Sequence, residues 1–305
     1  MSAAADAGPF LPAEHYRHSG RLGAGAFLLP LTAVLAPLAL GYVYAYMNVY
    51  VTADKLRALA AMAYGAALGL LVFWVSKKGK CRNNLFVGSM GLLAGLAGVY
   101  AAWAGFIPVL FSKVNVPSPP SYLDCLSSPA ALWDTVCEIA NVGWFTYSKR
   151  TVKDLELWFF WACEAATIVL IAAALAYWLA RDLVFCERCL RWCEEQADAA
   201  RASLPPGQEL PELKTGDLRE LAERHPPTEP LAPYARIDLN MCRQCNNTGT
   251  YKIVLVEPAA DKKKEKLKAS RPFLMTPANA PLLGKLLARK NAPPAGSSPP
   301  PPAAT

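Results

Sequence analysis

Two cysteine pairs stand in the second half of this chain, Cys186-Glu187-Arg188-Cys189 and Cys242-Arg243-Gln244-Cys245. A C-x-x-C turn lets two sulfurs share one metal ion, and two such turns complete a tetrahedral sphere. Residues 190 to 241 lie between the pairs, so the spacing is less specific than that of a compact finger. The local setting sharpens it. The second pair falls between a segment over Ala235–Met241, with Ile237, Leu239 and Met241 on one side, and a strand-like run over Gly249–Val256. That is the outline of a zinc-ribbon knuckle. The residues therefore predict a structural zinc ion on Cys186, Cys189, Cys242 and Cys245. Four thiolates close the coordination sphere and leave no position for water or substrate, so the expected work of the metal is folding rather than catalysis. Structural zinc contributes ~10–16 kcal/mol of apparent binding free energy. The same ligands suit an iron–sulfur cluster. A redox dithiol is a further rival, although the βαβ pattern around thioredoxin-type motifs is absent. Residues 183–202 read as a helix, which would place Cys186, Cys189 and Cys193 on one face; Cys193 is read as a spare thiol beside the site.

Glu164 is the other residue with chemistry to offer, because it lies inside a hydrophobic segment, where a carboxyl group is costly. Its functional reading is a proton or cation relay. The plainer one is a hydrogen-bonded glutamate paired with Asn48. No Walker loop, Gly-rich dinucleotide fingerprint or serine elbow is present, and His15, His18 and His225 form no constellation, so an enzyme is the less favoured reading. Cys125 and Cys137 allow a disulfide, with free thiols the preferred reading.

The elements that must position these groups follow from hydropathy. The 305 residues are 53% hydrophobic, and mean hydropathy is +0.19. The apolar share is concentrated before Ala180. Four segments, near 23–51, 56–75, 85–110 and 157–180, reach the ~20 residues a bilayer requires. In the first, Pro30 and Pro37 are expected to kink or break the helix, and Tyr42, Tyr46 and Tyr50 form one stripe. Gly65 and Gly69 in the second and Gly88, Gly91, Gly95, Gly98, Ala102 and Gly105 in the third form small-residue faces. These predict packing of the second helix on the third, with homo-oligomeric contact as the alternative. The loop over 111–155 carries a short amphipathic helix, with Trp133, Val136 and Ala140 on one side, that lies on the membrane or caps the bundle.

Lys77, Lys78, Lys80 and Arg82 place their loop in the cytoplasm by the positive-inside rule. Four spans then put both termini there. No cleavable signal peptide is evident. The formal charge of +7 is modest and is no signature of nucleic-acid binding. The lysine run at 262–268 reads as a solvated linker or a contact for acidic lipid. Residues 271–290 carry apolar patches for a last strand or helix, and the Pro-rich sequence from about Ala292 is expected to be disordered.

Gly41-Tyr42-Val43-Tyr44-Ala45-Tyr46, the turn ending Cys81-Arg82-Asn83, and Phe185-Cys186-Glu187-Arg188-Cys189 with its later partner resemble uncharacterised bacterial multi-pass membrane proteins with a cytoplasmic zinc-ribbon-like C-terminal domain. The resemblance implies an architecture and no assigned activity. The expected organisation is a cytoplasmic segment at 1–22, an all-α bundle of about four transmembrane helices at 23–180, a small α+β zinc-ribbon-like domain at 181–290, and a disordered tail at 291–305. The expected setting is the bacterial inner membrane. The leading functional expectation is a membrane-anchored adaptor for protein partners. A small transporter or channel component using Glu164, and a membrane thiol oxidoreductase, are the alternatives.

Overall fold

The apolar runs build the first of two compact units, residues 18–181. The structure is a computed structural model and describes residues 13–51, 54–147, 150–205, 212–227, 232–245, 248–258 and 266–291. The N-terminal residues 1–12, Lys262, Lys263 and Lys264, and the Pro-rich tail from Ala292 lie outside the described residues. A 3-10 turn over Ala24–Phe27 leads into α1 (Leu28–Tyr50). Then follow α2 (Asp54–Lys78), α3 (Asn84–Lys113), α4 (Tyr122–Ser127), α5 (Pro129–Val142), the antiparallel pair β1 (Phe145–Tyr147) and β2 (Arg150–Val152), and α6 (Asp154–Arg181). Among the described residues, four helices are long and apolar enough to cross a membrane. They correspond to the four segments of the sequence, and the chain is a membrane protein by this measure.

Three local expectations are corrected. First, α1 is not broken by its prolines: it runs unbroken through Pro37. Pro30 falls in its first turn, where a missing N–H costs nothing. Second, the small-residue faces do not mainly meet each other. A Cβ on Gly65 would stand 2.7 Å from the Ile168 carbonyl oxygen, one on Gly69 2.7 Å from that of Ala172, and one on Gly91 2.8 Å from the same Ala172 oxygen. Both glycine faces thus close mainly on α6, the helix furthest from them in sequence; Gly98 meets α2, at Leu68 and Tyr64, and Gly105 meets α1, at Ala45 and Tyr42. Backbone proximity, not sequence adjacency, decides where small residues are needed. Third, the buried face of α5 is Leu132, Val136 and Ala140, whereas Trp133 is 57% exposed and sits against Trp158, ring centroids 5.2 Å apart. The 111–155 loop caps the bundle: Cys125 and Leu132 pack with Ala104 and Ile107.

At the opposite end, the Gly25 N–H donates to the Gly79 carbonyl at 3.2 Å, and the Arg82 N–H to that of Arg21 at 3.0 Å. His18 Nε2 lies 3.2 Å from the Arg181 carbonyl oxygen. The basic residues of the second loop, the first segment and the end of α6 therefore share one end of this unit.

The second unit joins residues 13–17 to those from Asp182 onward. It contains β3 (Phe185–Cys186), β4 (Arg191–Trp192), β5 (Glu194–Ser203), α7 (Glu212–Thr215), α8 (Arg219–Glu223), β6 (Tyr234–Met241), β7 (Thr248–Glu257), β8 (Lys266–Ala269), β9 (Phe273–Leu274) and α9 (Asn279–Asn291). The sheet is antiparallel in the order β5-β6-β7-β8, with β9 also on β7. Residues 183–202 are thus strands and a turn, not a helix. The Glu-, Gln- and Ala-rich sequence of β5 favours a helix in isolation. Pairing overrides it by setting Ala200 opposite Ile237 and Ala202 opposite Ala235, all fully buried. The register shifts between Gln196 and Ala200, where Asp198 takes a φ of 59° and its N–H donates to Asp238 Oδ1 at 2.7 Å.

The core gathers Leu218, Leu221, Ile237, Ile253, Tyr251, Phe273, Leu283 and Leu286. Residues 13–16 form part of this unit. The Ala13 N–H donates to the Thr215 carbonyl at 2.9 Å, the Tyr16 N–H to that of Pro272 at 2.8 Å, and His15 stacks on Phe273 at 4.5 Å.

Candidate metal centre

The first cysteine pair is placed by a hairpin. Phe185 pairs with Trp192 and Cys186 with Arg191, and the two rings meet edge to face at 4.9 Å. Between β3 and β4 the chain reverses through residues 187–190, and Leu190 adopts a φ of 52° to complete the turn. The Cys193 N–H donates to the Val184 carbonyl at 2.8 Å, which closes the base of the hairpin. The second pair follows β6 directly, in a turn starting at Cys242, and β7 resumes at Thr248. Both pairs therefore sit where an antiparallel hairpin must reverse, and each turn carries its two sulfurs inward.

The Sγ atoms of Cys186, Cys189, Cys242 and Cys245 all lie within 4.8 Å of one another. Cys186 Sγ and Cys245 Sγ are 3.8 Å apart. Four sulfurs bonded at ~2.3 Å around a tetrahedral ion would be separated by about 3.8 Å. The spacing and the donor set both fit a metal ion, and these four residues could hold one. All nine cysteines are free thiols. Cys193 is not part of the four-sulfur group.

The electrostatics of the site are uneven. Backbone N–H groups of Cys245 and Gln244 point at the Cys242 sulfur and push its thiol down to about 6, so a thiolate is ready at neutral pH. Removal from water and contact with the other three sulfurs push Cys189 up to about 12. Cys193, mainly through burial and then through the neighbouring Cys186, rises to about 11. A divalent cation would reverse the penalty on Cys189 by supplying the positive charge that four clustered thiolates lack.

Elsewhere, the structure brings Glu164 to the partner foreseen for it. Asn48 Nδ2 donates to Glu164 Oε1 at 3.1 Å. Tyr44 also donates its hydroxyl to Oε1. Tyr44 stands apart from the stripe of Tyr42, Tyr46 and Tyr50, so the stripe gives no sign of it. It lies one helical turn before Asn48, and that spacing is the signal that would have found it. The stripe itself packs elsewhere: Tyr46 meets Tyr50 at 4.6 Å, and Tyr42 meets Tyr122 at 5.3 Å. Cys125 is buried and Cys137 half-buried, both as thiols. Of the lysine run, Lys266 and Lys268 fall on β8.

Comparison with protein-family models, with curated proteins and with solved structures finds no match to this chain.

Proposed function

We propose that this protein is a membrane-anchored adaptor whose soluble domain is held together by a structural zinc ion and engages protein partners. The observation that carries the reading is the convergence of four cysteine sulfurs, those of Cys186, Cys189, Cys242 and Cys245, on one point. A four-sulfur tetrahedron has no open position, so the metal would act on the fold and not on a substrate. In the hairpin bearing Cys186 and Cys189, β3 and β4 are only two residues each, and the Phe185 N–H donates to the Tyr16 hydroxyl at 3.1 Å. A metal shared with Cys242 and Cys245 would lock that hairpin against the β6–β7 turn. The basic end of the bundle supports a cytoplasmic placement of that end, in a bacterial inner membrane. There the reducing environment keeps thiols available for metal.

Metal analysis of the purified full chain tests the zinc clamp, and crosslinking in cells from surface positions of the sheet domain tests the adaptor. The expected result is one zinc ion per chain, absent in Cys242→Ser, with discrete crosslinked partners lost in the same variant. A metal-free protein with a reversible Cys186–Cys189 disulfide would replace this reading with thiol redox work.

A further inference from the structure

The helical unit holds a second built site, unrelated to the cysteines. A cavity of about 380 Å³ lies among α1, α2, α3 and α6, and Glu164 is on its wall. One side of the cavity is a continuous set of aromatic rings. Trp161 meets Trp103 edge to face at 4.6 Å, Trp103 meets Phe106 at 5.4 Å, and Phe106 meets Trp144 at 4.7 Å. Edge-to-face packing fixes the rings relative to one another. Arg57, also on the wall, rests its guanidinium 5.9 Å from the centre of the Trp144 ring, so this aromatic surface already carries one cation.

The carboxylate is equally well fixed. Tyr44 and Asn48 both donate to Oε1, an arrangement that holds the side chain in one rotamer. Tyr44 is in turn stacked on Tyr64 at 4.7 Å, nearly parallel. Among the residues lining the cavity, Met62 of α2 and Phe160 and Cys163 of α6 are exposed on the outside of the bundle. The cavity thus opens on this side, between two helices long and apolar enough to cross a membrane.

We propose that this cavity binds a lipophilic organic ammonium ion that enters from the bilayer, its charged head against Glu164 and the tryptophan wall and its apolar body toward the opening between α2 and α6. Three features select that class. A carboxylate held by two donors in apolar surroundings is complementary to a positive charge. Aromatic faces attract a cation whose own hydration is weak, which favours alkylated ammonium over a metal ion. The side opening selects a ligand that partitions into lipid. Arg57 lines the same cavity, so a ligand with a single positive charge is favoured over a dication.

The test uses the full chain in lipid nanodiscs, with empty nanodiscs as the reference, and three probes of similar shape: benzyltrimethylammonium, its neutral carbon isostere neopentylbenzene, and the anion 3-phenylpropanoate. The cation is expected to bind above the lipid background, and the other two are not. Glu164→Gln keeps the size and hydrogen-bonding capacity of the side chain and is expected to weaken the cation by about tenfold or more. Trp161→Leu keeps the carboxylate and is expected to weaken it several-fold. If Glu164→Gln does not fold, Trp161→Leu and the three-probe comparison on the wild type decide the matter. Binding of the neutral isostere as tight as that of the cation, stronger binding of the anion, or cation binding unchanged in a folded Glu164→Gln protein would overturn the proposal.

Discussion

Cys186 Sγ stands 3.8 Å from Cys245 Sγ, although 59 positions separate the two residues in the chain. That is the edge of a sulfur tetrahedron around an ion bonded at ~2.3 Å, and it is reached by two turns from different hairpins. Cys242→Ser removes one vertex. The expected outcome is loss of bound metal, measured by elemental analysis, together with loss of near-ultraviolet structure in the sheet domain. Cys193→Ser, outside the four-sulfur group, is expected to retain full metal content. Metal loss in Cys193→Ser would assign that thiol to the site.

Metal uptake is expected to release protons. Cys189, pushed up to about 12, holds its proton in the metal-free protein at neutral pH, whereas Cys242, pushed down to about 6, is largely ionised there. Apparent affinity should therefore rise with pH from 6 to 8, because the proton on Cys189 becomes easier to displace. Below about 6 the Cys242 thiolate is also lost and affinity falls more steeply. The folded metal-free domain shows the same sign through Cys242. Its depressed value contributes stability that is full above the ordinary thiol range and disappears as the pH falls through about 6. A chelator competition at several pH values reads the slope, and a pH-independent affinity would contradict thiolate ligation.

The side-chain hydroxyl of Tyr251 donates to the Gly216 carbonyl and accepts from Asn279 Nδ2 at 2.7 Å, with the ring fully buried. Tyr251→Phe leaves two buried partners unsatisfied and is expected to destabilise the sheet domain by ~1–3 kcal/mol in denaturant unfolding. Phe273→Ala, which also removes the ring under His15, is expected to cost ~3–5 kcal/mol. A shift below 1 kcal/mol for Phe273→Ala would mean that residues 13–16 do not pack on this core.

Glycines offer a contrast in sign. Gly65→Leu would drive a side chain into the backbone of α6, whose Ile168 carbonyl oxygen is 2.7 Å from the position of the first added carbon. Its expected effect is a clear fall in the melting temperature of the bundle in nanodiscs. Gly284 lies inside α9, and an added Cβ there meets nothing within 4 Å. Gly284→Ala is therefore expected to stabilise the sheet domain by ~1 kcal/mol, through helix propensity alone. Equal effects from the two substitutions would remove the argument for close α2–α6 packing.

Much of this molecule is legible in its residues one stretch at a time. A bilayer needs ~20 apolar residues in a row, so the four long helices could be read from hydropathy alone. The alternation of Ala235, Ile237 and Leu239 marks the apolar face of β6, although Asp238 and Asn240 between them are buried as well. The C-x-x-C pairs carry their chemistry in their spacing, which marks the four cysteines whose sulfurs converge. Even the pairing of Asn48 with Glu164 follows from the cost of leaving a carboxyl group alone in lipid.

What tertiary structure alone decided are the matters settled by distant partners. Residues 194–203 have the composition of a helix and become β5 because β6 offers a buried edge to pair with. The glycine faces of α2 and α3 both close on α6, a choice that spacing within either helix cannot express. Residues 13–16 join a core whose other members begin beyond residue 198. The aromatic wall facing Glu164 is assembled from α3, α6 and Trp144 between α5 and β1, so no local pattern announces it. Local sequence sets which conformations and contacts are affordable. Which partner completes each one depends on the path of the whole chain.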